Sequence, residues 1–282
     1  MKHLLYGDAV ISAEEFDNIS KQARTEALVK TITEIIWRCG NGNDAALALV
    51  GMRKQFACDH MYYGDGVSEH IIMVVCKSKA RLEMTVRENI DSYENGKGSC
   101  VLLLYSAIIS RGIEQIRLDM DEKESKLVGA HNYCTQEMIN LLLQGYATSN
   151  AFDNSMTLGP ESILKGITSQ SDIGFVSLFE HYQSCKIGDN YKSPKYPVWV
   201  VCSESHFSVL YAKKQPLGDA VFDLFYYDGL ANHDEEIKLT INTNDHVSSN
   251  ESRGSLIPPL EHCIRTKWPN CSVDWNGSEP SL

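Results

Sequence analysis

The chain has 282 residues, of which 43% are hydrophobic and 22% charged, and it contains 19 Gly and 8 Pro. This composition is typical of a folded globular protein and excludes collagen, coiled coil and extended disorder. The formal net charge of −11 argues against nucleic acid and membrane surfaces as partners, because an acidic protein repels phosphate groups and anionic lipid heads.

The first predicted element is a long helix that begins at Ser12. The Ser12 hydroxyl can cap the first turn while Glu15, three residues later, reaches back to it. Apolar residues then recur at helical spacing from Phe16 to Ile36, and Gly40 offers a left-handed C-terminal cap. Similar patterns predict helices at Leu82–Tyr93, Cys100–Leu118, Thr135–Leu143 and Ile173–Gln183, and short buried strands at Ala45–Val50 and His70–Cys76.

The hydrophobic period changes to two residues from about Tyr196 onwards, which is typical of strands. The predicted strands are Val198–Cys202, His206–Tyr211, Phe222–Tyr227, Ile237–Asn242 and Val273–Trp275, and a short helix is predicted after Pro258-Pro259. Residues 1–195 are thus expected to be mainly helical and residues 196–282 to form an antiparallel sheet. This order is typical of the α+β class, and we expect one domain over residues 1–282.

Compartment and cofactors follow from what the sequence lacks. No apolar run approaches the roughly 18 residues that span a bilayer, and the amino terminus does not have the pattern of a signal peptide. The 9 cysteines are spaced too widely and unevenly for a disulfide framework or a paired CxxC zinc site. We therefore expect an intracellular protein, in the cytoplasm or nucleus, with reduced thiols, no metal and no cofactor.

One hairpin carries residues that can do chemistry. The strands on either side of Ser203-Glu204-Ser205 are expected to bring Cys202 and His206 opposite each other. If the next hairpin turns near residue 216 or 217, His206 also faces Tyr227 and Asp228. A histidine beside a thiol and a carboxylate can act as the general base of nucleophilic acyl transfer.

A structural role explains the same residues without catalysis. A single histidine at a strand end is commonly a satisfied structural residue. Cys202 ends an apolar strand and lacks the helix N-terminus that lowers the pKa of a thiol. The sequence therefore favours a structural role for Cys202 as a small buried hydrophobic residue.

Several long blocks, in order, resemble the MINDY deubiquitinases, in particular their longer-chain branch. They are Gly129–Glu137, Ser171–His181, Trp199–Leu210, Tyr226–Leu230, Ile264–Trp268 and Asp274–Gly277. The resemblance implies a papain-like cysteine peptidase scaffold and an isopeptidase that removes ubiquitin, with a preference for lysine-48-linked chains. It also implies that the histidine of the Ser-His-Phe-Ser block, His206, is the general base. The role of Asp228 as orienting acid rests on the hairpin geometry.

The sequence departs from the family pattern at the nucleophile. The family places its cysteine in a Gly-Gly-Pro-Cys-Gly element at a helix start, where the positive helix end stabilises a thiolate, but this sequence contains no Pro-Cys pair. We expect a chain truncated just after the nucleophile helix. The two functional hypotheses are a monomeric deubiquitinase of which this chain is the base-bearing part, and a catalytically inactive ubiquitin-binding module. Cys202 as a substitute nucleophile is the least favoured reading.

Overall fold

The computed structural model describes residues 1–6, 19–51, 66–159, 162–203, 206–214, 218–230, 236–244 and 257–279. The chain divides into two compact units, here called the helical unit (Glu14–Ser149) and the sheet unit (Met1–Ala13 with Asn150–Leu282). Helices, a six-stranded sheet and two smaller sheets establish the predicted α+β class. The expectation of one domain over residues 1–282 stays a prediction.

The helical unit contains six α-helices and one hairpin within its described residues. The helices are α2 (Lys21–Cys39), α3 (Lys79–Glu88), α4 (Ile90–Glu94), α5 (Ser99–Arg111), α6 (Ile113–Asp119) and α7 (Gln136–Gln144), and strands β1 (Ala45–Val50) and β2 (Ile71–Cys76) pair antiparallel. A 3₁₀ turn at Ser68–His70 precedes β2. The two strands predicted in this unit are confirmed. The helices predicted at Leu82–Tyr93, Cys100–Leu118 and Thr135–Leu143 are also confirmed, although the first is broken after Glu88 and the second after Arg111.

The start and end of α2 differ from the prediction. Ser20 has extended backbone and its hydroxyl accepts from the Ala23 N–H at 3.2 Å, so the helix begins at Lys21. The predicted Ser12 cap lies outside the described residues. Gly40 keeps a negative φ of −76°, and the left-handed residues are instead Asn41 and Gly42, at φ 53° and 71°. The expected left-handed Gly40 cap is therefore wrong.

Serines of α5 cover the outer edge of β1. Ala46 N–H donates to Ser110 Oγ at 2.8 Å and Ala48 N–H donates to Ser106 Oγ at 2.9 Å. These bonds satisfy backbone donors that a two-stranded sheet otherwise leaves open on its edge. The hairpin is in this way tied to an apolar helix.

The sheet unit is built on six strands in the order β10-β9-β8-β7-β6-β5. They are β5 (Gly174–Ser177), β6 (Val198–Ser203), β7 (His206–Tyr211), β8 (Val221–Tyr227), β9 (Ile237–Asn242) and β10 (Ser272–Asp274), and a separate ribbon contains β3 (Ser155–Gly159) and β4 (Ser162–Lys165). The helices are α1 (Lys2–Leu5), α8 (Leu178–His181), α9 (Asp189–Lys192) and α10 (Pro259–Lys267). All five strands predicted in the carboxy-terminal half are confirmed to within one or two residues.

Two expectations for the sheet unit are wrong. The predicted helix at Ile173–Gln183 begins instead as β5, which pairs parallel with β6, so the sheet is mixed rather than antiparallel. All four residues of β5 are buried. A Cβ on Gly174 would stand 2.2 Å from the Trp199 ring, so glycine permits this close strand approach. Pairing with a distant strand has overridden the local helical pattern.

Helix α10 covers the buried face of the six-stranded sheet. Its Leu260, Cys263 and Ile264 belong to one apolar cluster with sheet residues such as Val201 and Leu224. This core fixes the strand register, because a slip of one residue would turn every buried side chain outward. The ends of β7 and β8 are positioned by the same packing.

Among the described residues, no single helix is long and apolar enough to cross a membrane. Only α5 and α6 taken together meet the length and composition criterion, across an 81° bend.

Candidate functional site

His206 and Asp228 meet at one end of the six-stranded sheet. His206 is the first residue of β7, and Asp228 directly follows β8. The observed pairs Val209 with Tyr227 and Leu210 with Tyr226 imply that Asp228 continues the register opposite Ser208, two residues from His206. Residues two apart on neighbouring strands share a face and lie within reach of a long side chain. His206 Nε2 lies 2.7 Å from Asp228 Oδ2.

The predicted pairing of His206 was wrong in its details. The register places Ser203 opposite His206 and Phe207 opposite Cys202. Because side chains alternate between the two faces of a strand, Cys202 and His206 lie on opposite faces of the sheet. The hairpin after β7 also shifts the register, so Asp228 reaches the ring diagonally rather than from the directly opposite position.

The carboxylate of Asp228 is held at both oxygens. Oδ2 faces His206, and Oδ1 accepts from the Leu230 backbone N–H at 2.9 Å. This second bond was not predicted, although an aspartate that accepts from the N–H two residues later is a common turn signal in the sequence Asp-Gly-Leu. The acid is therefore oriented by its own turn before it contacts the ring.

The two side chains differ in their access to solvent. The Asp228 side chain is 10% exposed, whereas the His206 side chain is 35% exposed. A shielded carboxylate strengthens its bond to the imidazole, because water competes less for it. The open ring remains accessible to a reacting group. An accessible histidine that is oriented by a carboxylate has the geometry that general-base catalysis requires.

Cys202 has the properties of a buried structural thiol. The residue is only 5% exposed. Burial raises the pKa of the Cys202 thiol to about 11, although a hydrogen bond with Ser177 acts in the opposite direction. A thiol with a pKa this far above 7 stays protonated at neutral pH. Cys202 is therefore a protonated thiol at neutral pH, and it lies on the face of the sheet opposite His206.

The cysteines and the metal-capable side chains in the described part of the chain form no disulfide and no metal-binding group of three. The cysteines there, Cys39, Cys76, Cys100, Cys134, Cys185, Cys202, Cys263 and Cys271, are all thiols rather than disulfides. Across the described ranges, no three His, Cys, Asp or Glu side chains converge as a metal-binding group. Residues 52–65, which include Cys58 and His60, lie outside those ranges.

Known proteins are similar in sequence to this chain along its length. The conserved domain of the MINDY-3/4 deubiquitinating enzymes matches residues 1–277. The human "Probable ubiquitin carboxyl-terminal hydrolase MINDY-4" is 44% identical over 290 residues, which cover 100% of this chain and 38% of the relative. The Xenopus tropicalis protein of the same name is 42% identical over 292 residues, covering 100% of this chain and 39% of the relative.

A more distant relative matches half of the chain. The Xenopus tropicalis "Ubiquitin carboxyl-terminal hydrolase MINDY-3" is 36% identical over 141 residues, covering 50% of this chain and 32% of the relative. No solved structure matches the chain significantly. The chain thus spans less than two-fifths of the length of the human MINDY-4 relative. By the extent of the conserved domain and by its full-length similarity to MINDY-4 proteins, the chain belongs to the MINDY-3/4 deubiquitinase family.

Proposed function

We propose that this chain carries the general base of a ubiquitin isopeptidase that works by cysteine-type hydrolysis. The observation that supports this proposal best is the 2.7 Å contact between His206 Nε2 and Asp228 Oδ2, with the ring open to solvent. The relatives are named ubiquitin carboxyl-terminal hydrolases. The family resemblance implies the finer features of a papain-like scaffold and a preference for lysine-48-linked polyubiquitin. The sequence pattern adds the expectation of a cytoplasmic or nuclear protein, and we propose that it acts as a monomer.

In this mechanism the two ring nitrogens of His206 have separate tasks. Nε2–H donates to Asp228, which fixes the tautomer and stabilises the imidazolium when it forms. Nδ1 is then the nitrogen that accepts a proton from the nucleophilic thiol. The thiolate attacks the isopeptide carbonyl, and the imidazolium returns the proton to the departing lysine amine. Water, deprotonated by the same ring, hydrolyses the thioester and releases ubiquitin with the thiol restored.

The nucleophile has no counterpart in this sequence that fits the family element. None of its cysteines follows a proline, and Cys202 is buried on the opposite face of the sheet from His206. We therefore expect the chain as given to cleave no isopeptide bond. A ubiquitin with a carboxy-terminal electrophile should leave the chain unlabelled, and an adduct on Cys202 would reverse this conclusion.

The second candidate is a ubiquitin-binding module without hydrolysis, and the missing Pro-Cys pair favours it. The two candidate functions predict different gene sequences upstream of the Met1 codon. An in-frame Pro-Cys-Gly codon run upstream of Met1 supports the enzyme, and its absence supports the module. Both require that the chain bind ubiquitin, which a titration with lysine-48-linked diubiquitin measures. No affinity at high micromolar concentration would contradict both.

The role of His206 is tested in a protein that joins this chain to a Gly-Gly-Pro-Cys-Gly element, native or fused. We expect His206→Gln to lower kcat by about 10³- to 10⁴-fold, because the thiolate and the leaving amine lose their proton carrier. The matched control is His262→Gln, which exchanges a histidine of α10 and should retain activity. Activity within tenfold of the parent in His206→Gln would refute the proposal.

A further inference from the structure

Helix α1 is docked on the sheet unit by contacts at its start and just after its end. Lys2 Nζ lies 3.2 Å from Asp172 Oδ2. Tyr6, which directly follows the helix, donates a hydrogen bond from its hydroxyl to the Ala212 carbonyl oxygen. Burial raises the pKa of the Tyr6 hydroxyl to about 12, so this donor keeps its proton at neutral pH. Leu5, between the two contacts, is buried, and the short helix is thus held at three points.

The residues that receive α1 are themselves fixed by backbone hydrogen bonds. Tyr196 N–H donates to the Asp172 carbonyl oxygen at 3.1 Å, and Ala212 N–H donates to the Pro197 carbonyl oxygen at 2.9 Å. The Lys2 ammonium also lies 4.9 Å from the centroid of the Tyr196 ring, a distance at which an aromatic ring attracts a cation. We call Asp172, Tyr196 and Ala212 the α1 dock.

The α1 dock lies at the end of the sheet opposite the candidate site. Asp172 and Tyr196 come just before β5 and β6, which run parallel. Ala212 directly follows β7, which is antiparallel to β6, so all three dock residues share one end of the sheet. His206 begins β7 and lies with Asp228 at the other end. The length of β7, at about 3.3 Å per residue, separates His206 from Ala212 by about 20 Å.

We infer that the α1 dock positions the nucleophilic cysteine relative to His206, with Lys2 and Tyr6 as positioning residues. This inference rests on the proposed function, because it takes a cysteine element on the amino-terminal side of α1 and His206 as the base. The far end of a helical arm that spans about 20 Å from the dock to the base shifts by about 1 Å when the arm tilts by about 3°. A misplacement of about 1 Å lowers a catalytic rate by up to about 10²-fold. The contacts of Lys2 and Tyr6 restrain this tilt.

Lys2 orients α1 without being needed to neutralise Asp172. The other oxygen of this carboxylate, Oδ1, lies 3.0 Å from Lys195 Nζ, so Asp172 stays paired when the charge of Lys2 is removed. The Lys2 and Asp172 side chains are only 15% and 26% exposed, and salt screens such a pair less than a fully exposed one. Loss of the Lys2 charge should therefore change the direction of α1 more than the stability of the sheet unit.

The first test measures steady-state hydrolysis by the protein that joins this chain to the nucleophile element. Lys2→Met removes the ammonium but keeps an apolar side chain. We expect kcat for lysine-48-linked diubiquitin to fall about tenfold with KM within about twofold of the parent, because the dock moves the cysteine and not the bound substrate. Lys2→Arg keeps the charge and should restore kcat. The matched control is Lys238→Met, which breaks a 2.8 Å pair with Asp223 between β8 and β9 and should change neither constant.

The second test follows the pH dependence of iodoacetamide alkylation at the nucleophilic cysteine, read by mass spectrometry of the peptide that contains it. A histidine that takes up the thiol proton lowers the pKa of a cysteine below the value of about 8.5 for a free thiol. We expect the pKa of this cysteine to move toward that value in Lys2→Met and Tyr6→Phe, because both variants loosen α1. Lys238→Met should keep the parent profile. A merely structural role of Lys2 would lower the melting temperature and leave the thiol profile unchanged.

The outcomes separate this inference from the proposed function. If the joined protein cleaves diubiquitin and Lys2→Met matches it in kcat and in thiol profile, the inference is overturned and the proposed function stands. A lower kcat with the parent thiol profile also overturns the inference, because the cysteine then keeps its place beside the base. If the joined protein itself cleaves no diubiquitin, the proposed function fails and this inference fails with it.

Discussion

Two mostly buried aspartates, one in each unit, differ in the groups that bind their carboxylates. Asp119 in the helical unit is 8% exposed and is fully occupied by permanent donors. Arg111 binds it through two nitrogens at 2.8 and 2.5 Å, Gln115 donates at 3.2 Å, and the Ala147 backbone N–H donates at 3.0 Å. Every one of these donors keeps its proton at neutral pH. Asp119 is therefore a structural connection between α5, α6 and the segment that follows α7.

Asp228 in the sheet unit is almost as shielded but is bound to a different kind of group. One of its oxygens is held by a backbone N–H and the other faces a histidine ring that is 35% exposed. A guanidinium can only donate hydrogen bonds, whereas a neutral imidazole donates from one nitrogen and accepts at the other. The comparison teaches that burial of a carboxylate does not mark a reactive site. What distinguishes Asp228 from Asp119 is the accessible imidazole bound to it.

The largest expected effect is the loss of Asp119. Asp119→Ala should lower the free energy of unfolding by about 3–5 kcal/mol, because it leaves Arg111 as an uncompensated, mostly buried charge. Denaturant unfolding followed by circular dichroism measures this. The matched control is Glu114→Gln on the same helix, whose exposed ion pair with Arg117 should contribute less than about 1 kcal/mol. Equal losses in the two variants would contradict the structural role of Asp119.

Asp228→Asn should have a smaller effect on stability and a specific effect on the ring. The amide can still accept from Leu230, so we expect a loss of about 1 kcal/mol in the free energy of unfolding. Its NH₂ group, however, must donate to His206 Nε2, which moves the ring proton to Nδ1. Nitrogen-detected NMR of the His206 ring measures the tautomer directly. A ring that keeps its proton on Nε2 in Asp228→Asn would show that Asp228 does not set the tautomer.

The smallest effect concerns a histidine of α10 that stacks on another histidine. The His262 ring stacks on His181 with centroids 3.9 Å apart. Burial, His181 and Arg265 hold the pKa of His262 below its ordinary 6.5. In the unfolded chain this group binds a proton near pH 6.5, but in the folded chain it does so only at lower pH. Folding stability should therefore fall as pH drops below about 6.5.

We expect the His262 contribution to be the smallest of the three effects, because its ring is only partly buried and water screens its charge. It is measured as the difference in unfolding free energy between pH 7.5 and pH 5.5. His262→Gln should reduce that difference, whereas His131→Gln, at an exposed site in the helical unit, serves as the control. A pH dependence that is identical in the parent and in His262→Gln would show that the stacked pair does not contribute.

Much of the architecture was predictable because it depends on local patterns. The alternation of apolar residues located β6 to β9, and helical spacing located α2, α3, α5 and α7. The same alternation placed His206 at the start of a strand and Asp228 at the end of another, which was enough to bring them onto neighbouring strands. Their catalytic roles remain predictions. The sequence also contained the family blocks whose similarity the MINDY-3/4 conserved domain confirms.

Other features depend on contacts between residues that are far apart in the chain. Residues Gly174–Ser177 have a pattern compatible with a helix, and only their parallel pairing with β6 makes them a strand. The register of β6 and β7 decided that Ser203, rather than Cys202, lies opposite His206. Strand register is fixed by the burial of whole faces and by the intervening turn, neither of which a single segment encodes.

The sequence by itself determined most of the longer elements, the family and the two residues of the candidate site, since periodicity and residue type are local properties. The tertiary structure alone decided which face of the sheet Cys202 and His206 occupy, how open the His206 ring is, and that Asp228 reaches it. These depend on the packing of α10 against the sheet and on the turn after β8, where the free energy of burial selects one arrangement from several that the local pattern allows.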